Sequence, residues 1–296
     1  MTYTKSIFGD NQFLGVNHSN QARAAQLYER FSIPEAILQV IGDAYEAGIR
    51  DFMFTTHDRY EEVFGEIRRS NLFPGMHYTP CIPYAHKYWN RLSSQTLPQM
   101  FASIAMQVNP LRAISGGLGL LVGRPGGLIS LFVEIEALMC KGLPIRGVFM
   151  QNTAFDLLMA LEAHREIEAF ATAVERRLSA QPGFITMNHP KAVDVLTRRI
   201  GLQMPWLCAN YNLGGFRTNP SRRAVEESFA SRRTYNIAMS VFSSGNAGVR
   251  SSLDYVINRL GPLGGVDAIL FGSASKKNIR ANVEAIKSQR VTSTLD

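Results

Sequence analysis

The chain has 296 residues, 46% of them hydrophobic, which is enough to bury the core of one large domain or two ordinary ones. Its longest apolar runs are too short to cross a bilayer, and Met1–Asp10 lacks the apolar stretch of a secretory signal, so we expect no membrane partner. The net charge is +7, but basic residues do not alternate with aromatic residues in the way typical of nucleic-acid binding. No nucleic-acid partner is therefore expected. Three widely spaced cysteines without a CxxC pair favour a reducing compartment and a cytoplasmic protein.

Apolar runs of strand length alternate with segments of helical period along the chain. The predicted strands are Phe13–Val16, Asp51–Thr55, Met76–Ile82, Arg146–Met150, Gly183–Met187, Trp206–Ala209, Asn236–Val241 and Ala268–Phe271. Amphipathic stretches between them predict helices at Ile33–Ala47, Phe155–Leu178, Ala224–Ser231 and Ser252–Leu260. This alternation predicts a (β/α)8 TIM barrel of the α/β class that occupies residues 1–296 as a single domain. The glycine-rich loop Ser115–Gly127 matches no nucleotide-binding motif and is a candidate lid.

Functional side chains of such barrels collect on the loops that follow the carboxyl ends of the strands. Four of the six histidines fall in these windows, which indicates a working site and argues against a non-catalytic binding protein. The windows contain Asn17 and His18, Thr56–Arg59, Tyr84–Lys87, Gln151 and Asn152, Asn188–Lys191, Asn210–Asn212, Ser243 and Ser244, and Ser273.

Two chemistries remain open from these residues alone. The imidazoles of His18, His57 and His189, with Asp58, could hold a divalent metal, although they lack HxH or HExxH spacing. A lysine at the barrel mouth, Lys87 or Lys191, could form a Schiff base if desolvation lowers its pKa. Each histidine could equally be a structural hydrogen-bonding group, and each lysine a surface residue.

The stretch DAILFGSASKKNIRANVEAI, residues 267–286, predicts a buried strand, a small-residue turn and a helix that begins with cations. Small residues let backbone N–H groups approach an anion, and a helix N-terminus favours negative charge. Lys276, Lys277 and Arg280 could neutralise a phosphate there, with help from Ser243 and Ser244 in the preceding loop. Ser275 could also serve as an ordinary N-cap.

The stretch SIPEAILQVIGDAYEAGIRDFMFTTHDRYEEVFGEIRR, residues 32–69, resembles the early segment of the aldo-keto reductases. Its matching positions are Ala44, Gly48 and Ile49 at the end of a helix, followed by Tyr60, Glu61, Phe64 and Gly65. The segments ITMNHP, IAMSVFSSG and FGSASKKNIRANVEAI resemble later parts of the same family. The resemblance implies that Tyr60 is the catalytic tyrosine and that Asn188 hydrogen-bonds the carboxamide of the nicotinamide cofactor. It implies too that Ser240 lies near the pyrophosphate of that cofactor. It also implies that Ser273, Ile279 and Asn282 lie at the cofactor-phosphate helix.

Several positions depart from the pattern of that family. The catalytic aspartate falls on Thr55, and the lysine of the third strand has no equivalent in register, since Lys87 lies beyond that strand. Where the family has a histidine on the fourth strand, this chain has Gln151 or Asn152. Cys208 stands in place of a glutamine, and Met239 stands in place of the tyrosine that stacks on nicotinamide. A general-acid tyrosine needs a nearby cation to lower its pKa, so Tyr60 would depend on His57 and Lys87.

We therefore expect an oxidoreductase similar to the aldo-keto reductases that acts on a small, sugar-like or anionic carbonyl compound with NADP or NAD. The predicted catalytic residues are Tyr60, His57, Lys87, Asp58 and His189. The predicted cofactor-binding residues are Asn188, Ser240, Ser244, Gly272, Ser273, Lys276 and Asn282. The alternative is a lyase, aldolase or epimerase without nicotinamide that acts on a phosphorylated or anionic small molecule, with a divalent metal or no cofactor.

Overall fold

The structure of the protein is a computed structural model that describes residues 5–16, 21–83, 126–243, 249–261 and 264–288, with the backbone alone for residues 126–128 and 249. Eight parallel strands form a closed barrel in which each strand pairs with the next and the last pairs with the first. The strands are β1 (Ser6–Gly9), β2 (Asp51–Thr55), β3 (His77–Ile82), β4 (Gly147–Met150), β5 (Gln181–Thr186), β6 (Trp206–Asn210), β7 (Tyr235–Met239) and β8 (Ala268–Phe271). The predicted TIM barrel is therefore confirmed.

Every predicted strand except the first overlaps an observed strand. The prediction of Phe13–Val16 is wrong, because β1 lies earlier and Phe13 lies in a turn, where its N–H donates to the carbonyl of Asp10 over 2.8 Å. The ring of Phe13 is buried 4.9 Å from the ring of Phe31, so its apolar character reflects core packing outside a strand. As a consequence Asp10 and Gln12, rather than Asn17 and His18, follow the end of the first strand.

The described helices pack around the barrel. They are α1 (Gln21–Arg30), α2 (Pro34–Glu46), α3 (Tyr60–Arg69), α4 (Gly126–Ala137), α5 (Asn152–Ala160), α6 (His164–Leu178), α7 (His189–Asp194), α8 (Arg222–Ala230), α9 (Val249–Ile257) and α10 (Lys276–Ser288). The continuous helix predicted at Phe155–Leu178 is wrong, because the chain turns at Glu162, whose φ is 54°, between α5 and α6. Within the described ranges, no helix has both the length and the apolar character needed to span a bilayer.

Side chains alternate along the strands between the barrel interior and the layer that faces the helices. The interior is filled by Ile7, Met53, Cys81, Phe149, Ile185, Trp206, Cys208, Ile237 and Ala268. The outward side chains include Phe52 and Phe54, which pack in the larger cluster beneath the helices. Because side chains fill the interior, a small molecule is expected to bind at an end of the barrel rather than inside it.

A buried ion pair lies at the amino-terminal end of the barrel. Nε of Arg146 lies 2.5 Å from Oδ1 of the fully buried Asp51, and Nη2 of Arg146 lies 2.8 Å from Nδ1 of His77. Asp51 begins β2, His77 begins β3, and Arg146 directly precedes β4. These contacts join three neighbouring strands at the end of the barrel opposite to the predicted site, so we assign them a structural role.

Candidate active site

Polar side chains from β2, and from the residues that directly follow β1 and β4, meet at the carboxyl end of the barrel. Oδ2 of Asp10 accepts hydrogen bonds from the backbone N–H of Thr55 over 2.7 Å and from the hydroxyl of Tyr60 over 3.2 Å. Nε2 of Gln151 donates to the hydroxyl of Thr55 over 3.3 Å. A connected network therefore links Gln151, Thr55, Asp10 and Tyr60.

The surroundings of Asp10 bring the titration of its carboxyl towards neutral pH. The residue is only 7% exposed, and this burial raises its pKa from 3.8 to about 6, although the hydrogen bonds from Thr55 and Tyr60 act in the opposite direction. Burial and then the charge of Asp10 raise the pKa of the Cys81 thiol on β3. A carboxyl group with a pKa near neutrality can both donate and accept a proton at physiological pH.

Tyr60 is fully buried at the beginning of α3. Its ring centroid lies 5.3 Å from that of Phe54 and 5.6 Å from that of Phe64, so aromatic packing holds the ring in place. Burial, followed by the charge and the hydrogen bond of Asp10, raises the pKa of Tyr60 well above its usual range. The structure thus brings the tyrosine that the family resemblance indicated into contact with a carboxyl group from β1, and its role as proton donor stays a prediction.

His57 and Asp58 lie in the turn between β2 and α3. Nδ1 of His57 accepts a hydrogen bond from the backbone N–H of Arg59 over 3.0 Å, and the carbonyl of Asp58 accepts one from the N–H of Glu61 over 3.0 Å. His57 is half-buried and Asp58 is exposed, so both lie near the rim of the barrel. Their catalytic roles stay predictions. Lys87 lies outside the described residues, as does the candidate lid up to residue 125.

His189 follows β5, but its ring points away from the network around Asp10. Nδ1 of His189 lies 2.8 Å from Oγ of Ser228 on α8, and Nε2 lies 3.0 Å from Oδ1 of Asn236 on β7. Asn236 neighbours Ile237, which faces the barrel interior, so Asn236 faces the helices. The ring is fully buried, and this burial lowers the pKa of His189 to about 4. The structure therefore does not bring His189 together with Tyr60, and a catalytic role for it is a prediction without a supporting contact.

The alternative metal site was predicted from His18, His57 and His189. His18 lies outside the described residues, and both ring nitrogens of His189 already have protein partners. Among the residues that the structure describes, no group of three or more histidine, cysteine, aspartate or glutamate side chains is arranged to hold a metal ion. The metal site therefore depends on a residue beyond the described ranges and stays a prediction.

The turn between β8 and α10 is shaped by glycine and serine. A Cβ atom on Gly272 would lie 2.1 Å from Oε1 of Gln12, so only glycine lets this amide approach the backbone closely. Oγ of Ser273 accepts a hydrogen bond from the N–H of Ser275 over 3.2 Å, and Oγ of Ser275 accepts one from the N–H of Asn278 over 3.4 Å. Ser275 thus acts as an N-cap, as one of the two interpretations of the sequence expected.

The cations of α10 form ion pairs with α2. Nζ of Lys276 lies 2.9 Å from Oδ1 of Asp43 and 2.8 Å from Oε2 of Glu46, and Nη2 of Arg280 lies 3.3 Å from the same oxygen of Glu46. Lys276, Lys277 and Arg280 line a shallow depression on the exposed face of α10. The positive charge of Lys276 is therefore already balanced within the protein, and its predicted contact with a cofactor phosphate stays untested.

The other predicted cofactor ligands are Asn188, Ser240, Asn282 and Ser244. Oδ1 of Asn188 accepts a hydrogen bond from the N–H of Lys191 over 3.2 Å and caps α7. Ser240 is exposed after β7, and its carbonyl accepts a hydrogen bond from the N–H of Ser243 over 2.9 Å. Asn282 is 8% exposed on the inner face of α10, and Ser244 lies outside the described residues. The cofactor roles of all four residues stay predictions.

Two buried amide oxygens have no hydrogen-bond partner among the described residues: Oε1 of Gln12 and Oδ1 of Asn210. Gln12 follows β1, and Asn210 ends β6, where its Nδ2 donates to the carbonyl of Arg217 over 3.1 Å. Both oxygens can accept a hydrogen bond from a bound molecule. Asn210 lies in one of the windows predicted from the sequence, whereas Asp10 and Gln12 lie outside all of them. The short apolar run Ile7–Phe8 before Gly9 was the signal that could have located them.

The closed parallel barrel, with a polar network at the carboxyl end of its strands, defines a (β/α)8-barrel protein with a candidate active site where this fold carries its chemistry. Two solved structures, each described as a "putative aldo-keto reductase" from Pseudomonas aeruginosa, share this fold. The first has a TM-score of 0.58 at 14% identity and covers 98% of this chain and 91% of its own. The second has a TM-score of 0.57 at 14% identity and covers 97% of this chain and 90% of its own. No protein-family model and no curated protein matches the sequence.

The TM-scores and coverages establish a common fold with the two structures, so the predicted likeness to the aldo-keto reductase barrel is confirmed at the level of architecture. Fold alone does not carry the reaction, because the same barrel supports many chemistries. The reaction therefore depends on the chemistry of the network of Asp10, Thr55, Tyr60 and Gln151.

Proposed function

We propose that the protein is an oxidoreductase that interconverts a small carbonyl compound and its alcohol, with NADP or NAD as the hydride carrier. One observation carries this proposal. The resemblance to the aldo-keto reductases places Tyr60, Thr55, and either Gln151 or Asn152 at catalytic positions. Tyr60, Thr55 and Gln151 belong to a single hydrogen-bond network with Asp10. Asp10, directly after β1, provides the carboxyl group that Thr55 does not provide in β2.

The described residues fit a nicotinamide cofactor at the carboxyl end of the barrel. When bound, the cofactor would supply a hydride to the substrate carbonyl or accept one from the alcohol. The unpartnered Oδ1 of Asn210 is a buried acceptor suited to the N–H groups of a carboxamide. Ser273 is half-buried in the turn before α10, and Lys277 is exposed at the start of that helix, where an anion would be stabilised by the helix N-terminus. Because Lys276 and Arg280 are paired with Glu46, the charge of a phosphate would fall mainly on Lys277.

The test is a spectroscopic assay of NADPH oxidation with a panel of small aldehydes, ketones and sugars, followed in parallel with NADH. We expect substrate-dependent oxidation by the wild-type protein and its loss in Asp10→Asn. The matched control is Asp254→Asn on α9. The carboxylate of Asp254 lies 3.4 Å from Nε of the exposed Arg250 and does not belong to the network around Asp10. Turnover that is equal in all three proteins would contradict the proposal.

One observation favours a second candidate function, a lyase, aldolase or epimerase that works by acid–base chemistry without nicotinamide. Asp10 is a buried carboxyl group with a pKa of about 6, which suits proton abstraction beside a carbonyl as well as proton donation to one. Turnover of an anionic or phosphorylated carbonyl compound in the complete absence of NADPH and NADH would favour this candidate. It would at the same time contradict the oxidoreductase.

A further inference from the structure

Two amide side chains face the barrel axis just above the apolar interior. Phe149 of β4 fills that interior, so the alternation of side chains turns Gln151, two residues further on, towards the axis. Cys208 of β6 places Asn210 inward in the same way. Gln151 is half-buried, and Asn210 is almost fully buried. Both amides therefore belong to the layer that a molecule bound at the mouth of the barrel contacts.

The amide of Gln12 joins this layer from the turn after β1. Gly9 lies two residues after Ile7 of the interior, so it is an inward position without a side chain. Gly272 is the equivalent position after β8, two residues beyond Leu270, which packs on the interior. Nε2 of Gln12 donates to the carbonyl of Gly9 over 2.7 Å, and a Cβ atom on Gly272 would lie 2.1 Å from Oε1 of Gln12. The Gln12 amide thus fills the space that the two glycines leave at the mouth.

Each of these three amides turns its nitrogen to a backbone carbonyl. The distances are 2.7 Å from Gln12 to Gly9, 3.2 Å from Gln151 to Cys81, and 3.1 Å from Asn210 to Arg217. A carbonyl oxygen cannot donate a hydrogen bond, so the reverse orientation of each amide would set two oxygens against each other. The amide oxygens are therefore the atoms left for a ligand, and those of Gln12 and Asn210 have no partner in the part of the chain that the structure describes.

Three cations beside this end of the barrel are already bound by protein groups. Lys276 and Arg280 contact the carboxylate of Glu46, and the guanidinium of Arg59 contacts two backbone carbonyls. The carboxyl group of Asp10 adds further oxygen atoms to those of the amides. A hydroxyl group donates hydrogen bonds to such acceptors, whereas a carboxylate or phosphate brings more oxygen atoms against them. The described layer therefore favours an uncharged ligand that carries hydrogen-bond donors.

We propose that the site selects uncharged carbonyl compounds that carry hydroxyl groups and rejects anionic ones, with Gln12 as a specificity-determining residue. This inference rests on the proposed oxidoreductase function and names the substrate class of the same site. Gln12 lies two residues after Asp10 of the network, so its Oε1 accepts from a hydroxyl group beside the reacting carbonyl. Gln151, whose Nε2 also donates to Thr55 over 3.3 Å, offers its oxygen from β4, and Asn210 serves the carboxamide of the cofactor.

Three two-carbon aldehydes test the preference in the wild-type protein. Glycolaldehyde, acetaldehyde and glyoxylate carry a hydroxymethyl group, a methyl group and a carboxylate on the same aldehyde. With NADPH, kcat/KM should be about 10-fold higher for glycolaldehyde than for acetaldehyde and lowest for glyoxylate, because an analogue without the hydroxyl leaves the polar groups of the site unpaired. Equal values for glycolaldehyde and acetaldehyde, or the highest value for glyoxylate, would overturn the inference.

Gln12→Met and Gln203→Met form a matched pair of variants. Gln203 also donates from Nε2 to a backbone carbonyl, that of Gly201 over 3.3 Å, but it is exposed and precedes β6 at the opposite end of the barrel. Methionine keeps the length of glutamine without the amide. Gln12→Met should bring the ratio of kcat/KM for glycolaldehyde and acetaldehyde close to 1, whereas Gln203→Met should keep the wild-type ratio. A purely structural role of Gln12 would lower both values in proportion, and an unchanged ratio would overturn its assignment.

A binding measurement separates this inference from the proposed function. Saturation-transfer NMR with xylitol and with succinate, in the absence of cofactor, compares an uncharged polyol with an anion. We expect a xylitol signal that Gln12→Met weakens and Gln203→Met retains, and a weaker signal from succinate. That pattern without NADPH binding or carbonyl turnover would contradict the oxidoreductase and keep the specificity of the site. Turnover without the preference would contradict the inference and keep the oxidoreductase, and absence of both would contradict both.

Discussion

Nε2 of His189 lies 3.0 Å from Oδ1 of Asn236, behind the wall of the barrel and away from its mouth. Asn236 in turn donates through Nδ2 to the carbonyls of Phe229 and Gly265, over 3.1 Å and 2.8 Å. The ring of His189 also packs 4.1 Å from that of Phe229. These contacts join the segment after β5 to α8 and β7, so we assign His189 a structural role.

We therefore expect His189→Ala to destabilise the fold. The change leaves a cavity and unpaired groups on Ser228 and Asn236, and it should lower the free energy of unfolding by about 2–4 kcal/mol. Guanidinium denaturation measures this loss. His164→Ala, at the half-buried start of α6, is the control and should change the stability little. Equal stability of the two variants would contradict the structural assignment.

Two buried groups should give opposite dependences of stability on pH. The folded pKa of Asp10, about 6, lies above its ordinary 3.8, so the folded state binds more protons between these values and the contribution of Asp10 to stability falls as the pH rises through this range. The folded pKa of His189, about 4, lies below its ordinary 6.5, so its contribution rises with pH over nearly the same range. Each effect amounts to about 3 kcal/mol at most.

Denaturation curves between pH 4 and 6.5 should therefore separate the two groups. Asp10→Asn leaves the His189 contribution, so the free energy of unfolding should rise more steeply with pH than in the wild type. His189→Gln leaves the Asp10 contribution, and the free energy should then fall with pH. Parallel curves for the two variants would show that neither group has the stated titration.

Glu46→Gln should free the cations at the start of α10. This change removes the carboxylate that binds Lys276 at 2.8 Å and Arg280 at 3.3 Å, and Asp43 remains as a partner of Lys276. Exposed ion pairs contribute little, so the change should reduce the stability of the fold only slightly. If α10 binds a cofactor phosphate, NADPH should bind more tightly to this variant. Glu227→Gln on α8, whose carboxylate lies 2.7 Å from Nε of the exposed Arg223, is a charge-matched control away from α10. Equal affinity of Glu46→Gln and the control would remove these cations from the cofactor site.

Gly183→Ala should destabilise the barrel from its interior. A Cβ atom at this position would lie 2.4 Å from the ring of Phe149, which fills the interior beside it. We expect a loss of about 2 kcal/mol or more, because the ring has to leave its packed position. Gly42→Ala on α2 is the control, since its nearest atom would lie 3.5 Å away and alanine favours a helix. A Gly183→Ala variant as stable as the control would contradict the described packing.

The fold could be predicted because apolar runs and helical periods are local properties of the sequence. Asp51–Thr55 and Ala268–Phe271 were predicted with their observed bounds. The first strand failed because Phe13 is buried in a turn while the true strand Ser6–Gly9 is only a short apolar run. Because the first strand was predicted too late in the chain, Asp10 was not recognised as a residue that follows a strand. Its contacts are with Thr55 and Tyr60, which lie 45 and 50 residues further along the chain.

The candidate site was harder to predict because a position after a strand does not fix the direction of a side chain. His189 and Thr55 both belong to the carboxyl ends of strands, yet the ring of His189 turns to the helix layer and Thr55 faces the barrel. The cations of α10 were expected near a phosphate, and Lys276 instead meets Glu46, 230 residues earlier in the chain. Such pairings are set by tertiary packing and leave no local signal.

The central claim is tested most directly by calorimetric titration of the purified protein with NADPH, combined with the carbonyl panel. Heat is a better signal than tryptophan fluorescence, because Trp206 begins β6 and lies 5.4 Å from Tyr235 at the amino-terminal side of the barrel. We predict saturable micromolar binding, and NADPH oxidation with at least one carbonyl compound that Asp10→Asn abolishes. Absence of binding, with turnover that needs no nicotinamide, would contradict the oxidoreductase and assign the Asp10 network to acid–base chemistry alone.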